Sequence, residues 1–167
     1  FLGVSINDHD PGTALRAVRS GLFDAVQVIY NVFDQGPEAE LFPLCRQHGV
    51  GVLARVPLDE GGLTGTITPD TTFPDGDFRN EYFAGDRKRQ VYERAQALTA
   101  LMGGEAHTLA ELALRFCLAS DAVSTVIPGM RRISTVDANT AVSDGRRLSP
   151  GLRASLKEHA WARNFYS

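Results

Sequence analysis

The sequence is poor in the features that mark several large functional classes. It has only two cysteines, Cys45 and Cys117. Neither belongs to a CxxC pair or a histidine-rich cluster, which points away from a structural metal site or a disulfide framework. Two buried, reduced thiols in a cytoplasmic protein are expected. Excess positive charge is missing as well: 17 Lys and Arg stand against 20 Asp and Glu, for a net charge of -3. A nucleic-acid partner normally requires a basic stripe, so none is expected. No apolar run approaches the ~20 residues that span a bilayer, so no membrane partner is expected. Low-complexity stretches and short internal repeats are absent, and no basic segment leads into an apolar one.

What remains is an ordinary globular composition, 43% hydrophobic and 22% charged, arranged as one domain over residues 1–167. Short apolar runs alternate with helical patterns. Strands are expected at Phe1 to Ser5, Phe23 to Tyr30, Val50 to Arg55 and Ala122 to Ile127, from their β-branched and aromatic content. Asp10-Pro11 is a helix start, with Asp as N-cap and Pro in the first turn. Ala14, Leu15, Val18 and Leu22 follow at helical spacing, and Gly21 closes the segment. A second helix is expected from Gly36-Pro37 to His48-Gly49, with Pro43 forcing a kink or a late start. Asp86 to Met102 carries Val91, Ala95, Leu98 and Met102 on one face. Thr108 with Glu111 is a capping box for the next helix. Further helices are expected near Arg132 to Val142 and from Ser149-Pro150. This alternation predicts an α/β fold with a parallel sheet buried on both faces. Composition alone leaves open a small open sheet or part of an eight-stranded barrel.

Four features carry candidate chemistry. Gln27 is an amide inside an apolar strand, and it must be hydrogen-bonded either to a neighbouring strand or to a ligand. Pro57 to Gly65 is a glycine-rich turn at the end of a strand, where backbone can approach a ligand closely. Arg131 and Arg132 sit at the start of a helix, where the dipole disfavours cations. A bound anion would resolve that conflict, and a solvated pair of arginines is the competing explanation. Ser5 and Asn7 close the first strand as a turn cap or as ligand contacts. The long stretch Val56 to Gly85, with Phe73, Phe78, Tyr82 and Phe83, either folds over a ligand or packs as surface.

Taken together and in order, several segments resemble the aldo-keto reductase family along nearly the whole chain. They are Gly3-Val4-Ser5, Val26-Gln27 with Tyr30-Asn31, and Leu53 to Leu58 with Gly61 and Leu63-Thr64-Gly65. Leu112 to Phe116 and Val126 to Gly129 with Asn139 complete the set. The resemblance implies a (β/α)8 TIM-barrel fold binding NADP(H) in an extended pose, with this chain supplying roughly the second half, strands five to eight and their helices. It implies that Ser5 and Gln27 contact the nicotinamide carboxamide. Ile6 stands where the family usually has Asn, and Asn7 follows one place later. Arg55 replaces a frequent aromatic residue against the nicotinamide ring, where a planar guanidinium can also stack. Pro57, Leu58, Gly61 and Leu63 would wrap the pyrophosphate with backbone. Gly129, Met130 and Arg131 would line the 2′-phosphate, with Arg132, Thr135 and Asn139 facing the phosphate or the adenine.

The family's Tyr, Lys, Asp and His cannot be carried onto this sequence. Tyr30, Tyr82, Tyr92 and Tyr166 fall outside the position of the acid. His9, His48, His107 and His159 match loops or helix ends. The expected activity is reduction of a small aldehyde or ketone by a completed barrel, with this chain holding cofactor and no catalytic residue. Phe1 falls about where a fifth strand would begin, so the missing half of the barrel is the expected partner, as a second chain or a preceding segment. The alternative is a non-catalytic NADP(H)-binding or assembly module. An aromatic tail with Trp161, Phe165 and Tyr166 is expected at the substrate mouth.

Overall fold

A computed structural model of the chain describes residues 1–6 and 9–162. Asn7, Phe165 and Tyr166, three of the residues singled out above, lie outside them. Four strands, β1 (Gly3–Ser5), β2 (Ala25–Ile29), β3 (Gly51–Arg55) and β4 (Val123–Ile127), form one sheet in sequence order, every pair parallel. Parallel neighbours need a crossover, and helices supply it. These are α1 (Leu15–Arg19) after β1 and α2 (Leu41–His48) after β2. Between β3 and β4 come α3 (Arg79–Tyr82), α4 (Arg87–Leu101) and α5 (Leu109–Leu118), and after β4 come α6 (Ile133–Thr140) and α7 (Pro150–Lys157).

The local signals explain most element ends. Asp10 accepts a hydrogen bond from the backbone N–H of Gly12, capping a short 3₁₀ segment with Pro11 in its first turn. Gly21, at φ +70°, turns the chain out of α1. Leu22 therefore does not continue the helix face; it lies beyond the helix end and is exposed. Pro43 marks a late start, because α2 begins at Leu41 and Pro43 falls in its first turn, where no intrahelical donor is lost. The capping box at α5 is offset. Thr108 accepts from the Glu111 N–H, but the Glu111 carboxylate accepts from the N–H of His107 rather than from the cap itself. The stretch 56–85 is not a bare loop: it contains a 3₁₀ segment (Asp59–Thr64) and α3.

The helices bury one face of the sheet and leave the other largely open, with Ile29 its buried exception, where two buried faces were expected. Val26, Val28, Val52 and Ala54 are at most 2% exposed and pack on Val18, Cys45, Leu98, Leu112 and Phe116 of the covering helices. On the opposite face Ser5, Thr125 and Ile127 are exposed, and Gln27, Leu53 and Arg55 are half-buried. The apolar continuity of the strands signalled two covered faces, and the helices cover one. A satellite core of Ile67, Tyr82, Phe83 and Val91, with Phe73 against it, anchors the long connection after β3.

Asn31, 1% exposed, joins two of the strand ends. Its Oδ1 accepts from the N–H groups of Phe33 and Asp34, and its Nδ2 donates to the carbonyl of Val56. Truncation would strand two buried backbone donors, at Phe33 and Asp34, and remove one of the two bonds to the Val56 carbonyl. Asn31→Ala should therefore lower unfolding stability by about 3 kcal/mol, measured by urea denaturation; a loss under about 1 kcal/mol would show the pin to be dispensable.

Candidate functional site

All four strands run the same way, so their C-terminal ends share one edge, and the connections after β3 and β4 meet there. Between them lies a groove of about 1020 Å³. One wall is the turn after β3, with Val56, Pro57, Leu58, Glu60 and Gly61; the other is the β4–α6 connection, with Ile127, Pro128, Gly129, Arg131, Arg132 and Thr135. The sequence singled out most of these residues, and the fold brings them to one place.

The wall after β3 is conformationally unusual. Val56, Asp59 and Glu60 have φ of 54°, 49° and 54°, the left-handed region that side-chain-bearing residues avoid. For β-branched Val56 that conformation carries strain, held in place by bonds from the Asn31 amide and the Asp59 N–H to its carbonyl. Leu63 joins this wall by its backbone only. Its side chain is fully buried in the main core and its N–H donates to the Leu58 carbonyl. The same carbonyl also takes the Gly61 N–H, so these two donors are already used within the turn.

On the facing wall Asn139 is a brace. It is buried on α6, and its amide donates to the Gly129 carbonyl at 3.3 Å. Thr135 turns its hydroxyl to the Arg132 backbone, accepting from its N–H and donating to its carbonyl. Both residues shape the connection from within rather than extending free groups into the groove. Arg132 is the N-cap of α6 and Arg131 precedes it. Among the described residues neither guanidinium has a hydrogen bond or ion-pair partner. Met130 is 43% exposed and is not among the residues lining the groove.

Ser5, Gln27 and Arg55 lie beside the groove on the open face of the sheet. Ser5 and Gln27 are register partners, and the Gln27 amide donates to the Ser5 hydroxyl at 3.3 Å. The neighbouring strand is thus one partner of the amide. Arg55 donates from Nη2 to the Ile6 carbonyl at 2.7 Å, which ties β3 to the end of β1, while its buried Nε has no protein partner.

Sequence reasoning gave no role to Glu60, Thr66, Asp77 and Arg79, which also line the groove, as does Thr64. Asp77 and Arg79 form a two-pronged ion pair at 3.0 and 2.6 Å, and these hydrogen bonds hold the Asp77 carboxyl down at about 2. Burial raises the Glu60 carboxyl above its usual range, against the pull of Arg55 and Arg79. Asp77 and Arg79 satisfy each other, although the charge of Arg131 also lowers Asp77, and Arg131 and Arg132 remain as the cations of the groove without an ion-pair partner. Phe78 lines it, whereas Phe73, Tyr82 and Phe83 belong to the satellite core. Trp161 is packed edge-on against Phe33 with the Arg87 and Arg94 guanidiniums over its ring, so it joins the two cores. His9 pairs with Asp34 at 2.7 Å, a contact no spacing in the sequence signals. Among the described residues no group of three His, Cys, Asp or Glu side chains could hold a metal ion, and no helix is long and apolar enough to cross a membrane.

Comparison with known proteins gives a consistent result. The model of the Aldo/keto reductase family matches residues 3–160. The chain is similar to the NADH-specific methylglyoxal reductase of Escherichia coli (strain K12), 32% identical over 122 residues, covering 72% of this chain and 37% of that protein. It is also similar to the aldo-keto reductase yakc [NADP(+)] of Schizosaccharomyces pombe, 27% identical over 142 residues, covering 81% of this chain and 42% of that one. Among solved structures, the holo form of an aldo-keto reductase from Bacillus halodurans superposes with a TM-score of 0.69 at 28% identity, covering 96% of this chain and 50% of that one. The chain therefore spans half or less of the length of these relatives.

Two adjacent glycines separate space from strain in the β3 wall. A Cβ on Gly62 would lie 2.5 Å from Asp59 Oδ2 and 3.2 Å from Val91 Cγ1, whereas one on Gly61 meets nothing within 4 Å but sits at φ +109°. Gly62→Ala should cost about 2–3 kcal/mol by overpacking and Gly61→Ala about 1 kcal/mol by strain, in urea denaturation. Equal costs would contradict the packing described.

Proposed function

The chain belongs to the aldo/keto reductase family, and we propose that it supplies the NADP(H)-holding half of a (β/α)8 barrel that reduces small aldehydes or ketones to alcohols. What carries this reading is the groove at the strand ends, with two unpaired guanidiniums on its lip. A half-barrel role is supported by four parallel strands in sequence order, with one face left uncovered, in a chain half the length of its structural relative. The remaining strands would come from a further segment or a second chain, and they would bring the acid and its partners.

The groove fits a dinucleotide phosphate on the chain's own terms. Arg131 and Arg132 offer charge-assisted donors at the start of an eight-residue helix, where amides and dipole also favour an anion. Gly129 leaves open space beside them. Leu58 and Gly61 form the opposite side, and a pyrophosphate would lie between the walls. Ser5 and Gln27, already bonded to each other, would orient a carboxamide through their remaining lone pairs and the second amide hydrogen. Arg55, tied to Ile6, would present its guanidinium plane to the nicotinamide. The bound cofactor supplies a hydride; these residues orient it and exclude water. The two relatives carry different cofactors in their names, so the preference for NADP(H) rests on Arg131 and Arg132 alone.

That preference is measurable by titrating the protein with NADPH and with NADH and following nicotinamide fluorescence. Loss of a charge-assisted hydrogen bond costs about 1.5–3 kcal/mol, so Arg131→Ala should weaken NADPH about 10- to 100-fold. NADH, without the 2′-phosphate, should weaken less than about threefold on the same grounds. Equal losses for both would refute the phosphate role.

A further inference from the structure

The groove wall after β3 rests on a buried cluster that the cofactor reading does not use. Asp59 is 4% exposed and Arg87 4% exposed. The Tyr82 hydroxyl donates to Asp59 Oδ1 at 2.5 Å, and the Arg87 guanidinium lies 3.6 Å from the same oxygen. Arg87 also reaches the Tyr82 hydroxyl at 3.5 Å and lies over the Trp161 ring at 4.2 Å. Asp59 Oδ2 and Arg87 Nε are buried without a hydrogen-bond partner. The carboxylate is therefore only half satisfied, at the strained turn whose neighbours Val56 and Glu60 line the groove.

We infer that Asp59 is a positioning residue: its carboxyl, enclosed by Tyr82 and Arg87, sets how firmly the turn from 56 to 64 closes its wall of the groove. The functional meaning of that closure rests on the cofactor reading above, but the closure itself does not. Four groups face the carboxyl: Arg87 from α4, Tyr82 from α3, Glu60 within the turn, and His9 after β1, which is itself paired with Asp34. Burial pushes Asp59 up to about 6, and the Arg87 charge and the Tyr82 hydrogen bond oppose it without cancelling it. With the wall open, the carboxyl meets water and returns to about 3.9. Closing thus favours the protonated form. The closed wall is at full strength below about pH 4 and weakens as pH rises through about 6.

The test is amide hydrogen exchange over residues 56–64 of the full chain from about pH 5 to about pH 7.5, each rate divided by its unstructured value at that pH. Protection should fall about tenfold across that range, and up to about a hundredfold when followed from below about pH 4. Asp59→Asn should remove the step. Tyr82→Phe, which keeps the ring in the satellite core and deletes the opposing hydrogen bond, should move its midpoint to higher pH. A flat profile in the unmodified protein overturns the inference. So does a step that survives in Asp59→Asn, which would belong to another group such as the Glu60 carboxyl, itself raised by burial, or a midpoint unmoved by Tyr82→Phe. No cofactor is needed, so a protein that shows the step yet binds neither NADPH nor NADH loses the cofactor reading and keeps this one.

Discussion

The structure depends on one constraint: four strands that pair only in parallel, in sequence order. Each connection must then cross back over the sheet, and helices on one face are the means. Two consequences follow. The strand C-termini collect at a single edge, so connections far apart in sequence, at 56–64 and 127–135, become neighbours. The helices bury Val26, Val28, Val52 and Ala54 and leave Gln27, Leu53 and Arg55 on a face no helix reaches. A groove and an open sheet face are thus products of the same topology.

Holding a groove at that edge requires backbone that ordinary turns do not provide. Three side-chain-bearing residues with positive φ, Val56, Asp59 and Glu60, concentrate strain just after β3. Asn31 restrains the turn from the β2 side, and the Asp59–Tyr82–Arg87 cluster restrains it from the side of the long connection. The facing wall needs no such strain, because Asn139 and Thr135 close it with hydrogen bonds to Gly129 and Arg132. One wall is therefore poised by opposing forces and the other is simply braced.

The parts legible in the sequence were those with local causes. Asp10-Pro11, Gly21, Thr108 and Ser149-Pro150 announced helix ends because caps act within a few residues. Strand positions followed from β-branched runs, but their apolar continuity could not reveal that one face would stay uncovered. At the site, the glycine-rich turn from Pro57 and the Arg131–Arg132 pair stood out by themselves. Family resemblance assigned roles to Pro57, Leu58, Gly61, Gly129, Arg131 and Arg132, and these do line one groove. Leu63 was carried over with them as a backbone contact, and its side chain belongs to the core. Glu60, Asp77 and Arg79 were passed over because charged residues in a polar stretch look solvated until the fold brings them together.

The least legible feature was the most buried. Asp59 sits among glycines, Tyr82 in a polar connection and Arg87 at a helix start, so nothing local marks any of them as interior. A half-satisfied carboxylate is a poor stabiliser, since its desolvation competes with the attraction of Arg87. Placed under a strained turn, the same weakness has a use. A wall held by a well-packed apolar contact would be indifferent to its surroundings, whereas one held by Asp59 exchanges rigidity against charge. Arg131 and Arg132 show the converse arrangement, cations left exposed and unpaired where they can meet an anion. The groove thus combines a charge enclosed behind one wall with charges presented on the other, and only the second kind could have been suspected from the sequence of the chain.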